Sequence, residues 1–136
     1  MIELTNRGVV AGDKRSIKFK VFESDTAQFM TEVIHPFYST FALGRDIEWT
    51  CRQFVLDIKE LDEEGIGTFL NIEHLSPALH GEDVIIIATV SLIEKNVLNC
   101  IFEAKVKDRV IAKGSQGQKV IAKSRVEEII KALKNG

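Results

Sequence analysis

The chain has 136 residues, of which 45% are apolar and 28% charged, with a formal net charge of −2. Such a length suits one folded domain spanning residues 1–136, and the composition excludes disorder for the bulk of it. A near-neutral charge gives no reason to expect nucleic acid as a partner, and the longest apolar run, Val84 to Ala88, is far below the ~20 residues that span a bilayer.

Ser16 to Phe22 alternates apolar and polar residues, which predicts a half-buried strand. Ser24-Asp25-Thr26 offers a cap for a short helix through Gln28, Phe29 and Met30 to Ile34, ended by Pro36. A longer helix is expected from about Ser39 to Leu61, because Ile47, Cys51, Phe54, Val55 and Ile58 recur at three- and four-residue spacing. Ser39 or Thr40 would cap it, and the acidic Asp62-Glu63-Glu64 stretch before Gly65 would stop it.

Beyond that point the sequence changes character. Strands are predicted over Gly67 to His74, Asp83 to Ile93, Val97 to Val106 and Val110 to Ala122, the last interrupted at Gly114 and Gly117. Leu75-Ser76-Pro77, Glu94-Lys95-Asn96 and Asp108-Arg109 read as turns. In the third of these strands Leu98, Cys100, Phe102, Ala104 and Val106 share one face. Arg125 to Leu133 closes the chain as a helix with Val126, Ile129, Ile130 and Leu133 on one side. The phrase Val-Ile-Ala-Lys at 110–113 and 120–123 is too short for a repeat architecture, whose periods exceed about 20 residues. One long amphipathic helix followed by long antiparallel strands predicts an α+β domain, its sheet curled around the helix.

The two cysteines, Cys51 and Cys100, lie in apolar periodic segments and read as small buried hydrophobes, not a disulfide. The start, Met1 to Thr5, lacks the basic-then-apolar profile of a signal peptide, so a cytoplasmic location is expected. The histidines have no metal-ligand spacing, so neither a metal nor a cofactor is expected. His35 and His80 read as loop histidines, and Lys105, Lys107 and Arg109 as a solvated strand edge, with attraction of a ligand's phosphates as the alternative. Gly65-Ile66-Gly67 precedes a strand and is not a dinucleotide fingerprint.

Three polar residues stand out. Thr40 and Glu48 lie eight apart on the predicted helix, within one broad face, with Gly44 leaving the surface between them open. His74 ends the following strand. A hydroxyl, an imidazole and a carboxylate are what acyl transfer requires, and free N–H groups at a helix start suit the oxyanion of a thioester under attack. A helix cap, a solvated acid and a loop histidine would account for the same three residues.

The stretch Tyr38-Ser39-Thr40-Phe41-Ala42-Leu43-Gly44-Arg45-Asp46-Ile47-Glu48-Trp49-Thr50-Cys51 resembles the start of the central helix of hotdog-fold thioesterases related to fluoroacetyl-CoA thioesterase. Gly65-Ile66-Gly67-Thr68, and Asn71 to Ala78 with its His-then-Pro bend, resemble that family's glycine-bearing strand and turn, and Gly81 follows in step. The likeness runs from about Ile17 to Ile121. It implies a hotdog fold, to which the predicted C-terminal helix is added, an acyl-CoA substrate, and Thr40, Glu48 and His74 as the catalytic set. Gly67 would lie against the thioester. His74 would be the general base and Thr40 the nucleophile or the group that positions water. The family's His-x-Arg pattern on the last strand is replaced by Gln116 and Gln118, so Gln118 would meet the substrate without a charge. Lys119 should point to the opposite face.

The resulting expectation is hydrolysis of a small or medium acyl thioester. The alternatives are a hotdog module that binds acyl-CoA or another apolar ligand without turnover, and a hydratase on the same fold. An edge strand with unpaired backbone groups, and a family active site near the subunit interface, predict a homodimer, with tetramers open.

Overall fold

The computed structural model describes residues 1–29 and 32–136. Seven strands and two α-helices follow in order: β1 (Lys14–Lys20), β2 (Thr26–Phe29), β3 (Glu32–Tyr38), α1 (Thr40–Ile58), β4 (Glu63–His74), β5 (Asp83–Glu94), β6 (Val97–Val106), β7 (Arg109–Ala122) and α2 (Lys123–Asn135). Five strands form an antiparallel sheet in the order β1-β5-β6-β7-β4, and β2 pairs with β3 separately. The β5–β6 and β6–β7 turns each place a lysine, Lys95 and Lys107, in the left-handed region that tight hairpin turns use.

The spacing of the long helix is realised in its packing. Ile47, Cys51, Phe54, Val55 and Ile58 are all buried against the sheet, where Leu98, Cys100, Phe102, Ala104 and Val106 present the facing side of β6. Ser39, not Thr40, is the cap: its Oγ accepts a bond from the Ala42 N–H at 3.0 Å. The helix stops at Ile58, short of the expected Leu61, because Lys59 turns extended and β4 begins at Glu63. Arg7 closes that end, donating to the Ile58 carbonyl at 3.1 Å and to the buried Glu63 carboxylate at 2.7 Å.

Three expectations are corrected. The helix expected from Ser24 towards Ile34 is a 3-10 turn (Glu23–Asp25) followed by β2 and β3, and its Met30 lies outside the described residues. The capping signal is spent on the turn: the Asp25 carboxylate accepts from the Phe22 N–H, and Thr26 Oγ1 donates to the Glu23 carbonyl. Strand β3 then has partners on both sides, since Tyr38 N–H donates to the Ala78 carbonyl and Phe37 bridges to Leu79. Pro36 is accommodated within β3, part of a two-stranded pair rather than the interior of a large sheet. Second, β1 is Lys14–Lys20, and Phe22 is exposed at the entrance to the turn. Third, β7 is continuous through both glycines. A Cβ at Gly114 would overlap the Asn71 carbonyl, and one at Gly117 would overlap the Phe69 ring, so these glycines allow β4 to approach closely without breaking β7. The register slips in β4 instead, between Gly67 and Phe69.

Helix α2 forms where expected but buries none of its residues, and Ile129, Ile130 and Leu133 are exposed. No described helix is long and apolar enough to cross a membrane.

Candidate active site

Thr40 is the first residue of α1 and His74 the last of β4; the fold brings them together, with Thr40 Oγ1 and His74 Nε2 2.9 Å apart. Local capping explains why the hydroxyl is available. Ser39 takes up the Ala42 N–H, so Thr40's own side chain is not consumed as a cap. The N–H groups of Thr40 and Phe41 lie in the first turn and have no intrahelical acceptor, so they are open to a developing negative charge. On the other side, the bend after His74 is anchored by Leu75 N–H and Ser76 N–H, both donating to the Ile111 carbonyl. Arg109 braces the same bend, donating to Ser76 Oγ at 2.8 Å and to the Pro77 carbonyl, with a salt bridge to Glu82 at 3.2 Å. Arg109 is therefore more than a solvated strand-edge charge.

The pair opens into a depression of about 880 Å³, walled by Phe29, Phe37 and Phe41 and by the Leu75–Pro77 bend. His35 lines it as well, from within β3 and not from a loop. Its ring lies 5.0 Å from that of Phe37, and its Nδ1 accepts from the Phe37 N–H. A helix over 24–34 would not build this wall; the aromatic and β-branched content of Thr26, Phe29, Ile34 and Phe37 is the sequence signal for strand.

Glu48 lies elsewhere. Two helical turns from Thr40 correspond to about 12 Å of helix axis. The surface between them is not open, because Leu70 and Ile72 of β4 pack over Gly44, with Leu70 Cδ2 3.3 Å from where a Cβ would be. Half-buried Glu48 lines a second depression of about 380 Å³ with Trp49, Arg45, Arg52, Gly65, Gly67 and Gln118. Its carboxylate accepts a bond from Gln116 Nε2 at 2.7 Å. A Cβ at Gly67 would stand 3.4 Å from the same oxygen, Oε2. Gln118 is buried and donates its amide to the Cys51 carbonyl at 2.9 Å, whereas Lys119 is exposed on the other face, as alternation requires. One chain thus joins Thr40 to His74 and, separately, Glu48 to Gly67 and both glutamines.

A buried polar cluster lies between the two. The Tyr38 hydroxyl donates to Asp46, and Arg45 bridges Asp46 and Asp25 at 2.9 Å each. Burial, and then the Asp46 bond, push the Tyr38 phenol well above its ordinary range, so it stays a donor. Because Asp25 also takes the Phe22 N–H and its carbonyl takes the Ser39 N–H, the cluster fixes the turn before β2 to the start of α1. Cys51 and Cys100 are fully buried and unlinked; the Cys100 thiol beside it, and then burial, push the Cys51 thiol upwards, away from reactivity. Among the described residues no group of three His, Cys, Asp or Glu side chains is placed to hold a metal ion.

A long central helix wrapped by an antiparallel sheet, with a hydroxyl–imidazole pair at the helix start, defines a hotdog-fold protein of the thioesterase class. The sequence profile of the family described as FlK, fluoroacetyl-CoA-specific thioesterase, matches residues 21–124, and the chain belongs to that family. Among solved structures it is similar to the Thermus thermophilus hypothetical protein TTHA0967, a thioesterase superfamily member, with 28% identity, TM-score 0.88, and 95% and 96% of the two chains covered. The hot-dog-like protein from Thermanaerovibrio acidaminovorans shares 23% identity at TM-score 0.85, covering 93% of each chain. The fluoroacetyl-CoA thioesterase FlK shares 18% identity at TM-score 0.80, covering 92% of this chain and 97% of that one. No curated protein matches the sequence.

Proposed function

We propose that this thioesterase hydrolyses the thioester bond of small or medium acyl-CoA molecules, with Thr40 and His74 as the reacting pair. The observation that carries the reading is the 2.9 Å contact between Thr40 Oγ1 and His74 Nε2 beside the open N–H groups of the first helical turn. His74 Nε2 takes a proton from the Thr40 hydroxyl, or from a water held by it, and the oxygen attacks the thioester carbonyl. The first-turn N–H groups of α1 then hold the oxyanion. The collapse of the intermediate expels the CoA thiolate, which His74 protonates. Where water is the attacking group the free acid forms directly; where Thr40 is, a water deprotonated by His74 then cleaves the acyl-threonine ester and the proton returns to the Thr40 oxygen. The aromatic wall of Phe29, Phe37 and Phe41 suits an apolar acyl or pantetheine segment.

Glu48 and Gly67 enter this reading through a homodimer. The two sheet edges differ: β1 is rich in basic side chains (Lys14, Arg15, Lys18, Lys20), which discourage pairing, whereas β4 exposes Ile66 and Phe69. Antiparallel pairing of β4 with its copy across a two-fold axis sets the His74 end of one strand beside the Gly67 end of the other. The depression holding Thr40 and His74 then meets the partner's depression holding Glu48, and the catalytic set is completed between subunits.

The test is a thiol-release assay over a panel of acyl-CoA substrates, run beside His74→Ala and Thr40→Ala. Each variant is expected to lose about 10²–10⁴-fold in kcat/KM. Equal rates in all three proteins would end the reading, and acyl-CoA that binds without turnover would favour the module that binds its ligand unchanged.

A further inference from the structure

We infer that Gln116 is a positioning residue for the reaction: its side-chain amide aims the Glu48 carboxylate at the space left by Gly67. The inference rests on Glu48 taking part in hydrolysis. Gln116 is 1% exposed and stands on β7 facing Cys100 of β6, on the helix side of the sheet. Its Nε2 donates to Glu48 Oε2 at 2.7 Å, a short bond for this type, while its Oε1 is buried with no partner. Glu48 is only half-buried and accessible to water, so it does not need a protein donor for solvation.

A buried acceptor without a partner detracts from stability. Methionine has a similar length, would fill the same volume, and would leave no polar atom unpaired. Packing therefore does not account for an amide here. What the amide adds is direction: with Oε2 fixed by Gln116, the carboxylate is held against the bare Cα of Gly67 instead of rotating freely over the half-open depression. Neighbouring charges do not perform this task. Arg45 is engaged by Asp25 and Asp46, and Arg52 by Glu64 at 2.5 Å. Asp46 faces Tyr38 and Arg45. Gln118, one alternation further along β7, spends its amide on the helix backbone at Cys51.

The experiment is a cycle of Gln116→Met, Glu48→Ala and the double variant, read by thermal melting and by kcat and KM on whichever acyl-CoA the wild type turns over fastest. Gln116→Met is expected to melt at or above the wild-type temperature yet lose about tenfold to a hundredfold in kcat, with KM little changed. The double variant should be no slower than Glu48→Ala alone, because the amide acts only through the carboxylate. Gln116→His, which restores an N–H donor, should recover part of kcat and add a titration near pH ~6.5 to the rate profile. Wild-type kcat in Gln116→Met, or losses that multiply in the double variant, would overturn the inference. If Glu48→Ala itself keeps wild-type turnover, it is the role of Glu48 that fails. Should Gln116→Met not fold, absence of any rescue or new titration in Gln116→His decides against the inference on its own.

Discussion

The depression that holds Thr40 and His74 and the one that holds Glu48 are built in opposite ways. The one at Thr40 and His74 uses exposed groups at the ends of a helix and a strand, held by backbone caps and by the Arg109 brace on the following bend. The one at Glu48 uses a side chain in mid-helix, fixed from below by the buried Gln116 amide of β7. Ends of elements can present reactive groups cheaply, since their backbone donors are unpaired already. Mid-element groups need an interior partner to have a defined direction. Between the two, Leu70 and Ile72 lie over Gly44 and keep them separate within a chain.

The largest stability effect is expected from Gly114→Ala, since its Cβ would overlap the Asn71 carbonyl and stand 2.8 Å from the Phe102 ring. It should cost about 1–3 kcal/mol in chemical denaturation by forcing β4 away from β7, and both depressions depend on that pairing. Ile66→Lys should turn the apolar β4 edge into a charged one, so a dimer seen by sedimentation in the wild type should shift to monomer and hydrolysis should fall with it. Persistence of full activity in a monomer would separate the reaction from the edge.

Arg45→Ala is a smaller perturbation, about 1 kcal/mol, because the arginine side chain is 54% exposed although both of its carboxylate partners are buried. Its effect should fall on the Thr40 side through the turn before β2, which the cluster ties to α1. The smallest expected change is in acid stability. The Arg7 hydrogen bond holds the Glu63 carboxyl below its usual range. Its stabilising contribution is therefore present above the unfolded carboxyl's pKa of about 4.3 and is lost as pH falls through the lower folded value. Thermal melts of Glu63→Gln should flatten in that acid window relative to wild type, and an unchanged slope there would discount the pair.

The helix and most of the sheet were legible because burial imposes a period on the sequence. The five apolar positions of α1 and the alternating face of β6 are buried as their spacing requires. The segment before α1 departs from its expected helix because Ser24-Asp25-Thr26 carries the chemistry of a helix start, and that chemistry closes a 3-10 turn equally well. The β7 glycines do not break the strand, because their reason is across the sheet, in the Asn71 carbonyl and the Phe69 ring. Of the candidate site, the Thr40–His74 contact followed the family spacing, but Gln116 as the partner of Glu48 depended on which residues β7 stacks against the helix.

The periods are written into the chain, and with them one long helix, the major antiparallel strands and the residue types available for acyl transfer. Tertiary structure alone decided which of those residues meet. Contacts such as Thr40 with His74, 34 residues apart, and Glu48 with Gln116, 68 apart, arise from strand order and register. Local propensity carries no information about those: a one-residue slip in β7 would turn Gln116 away from the helix without changing any local preference.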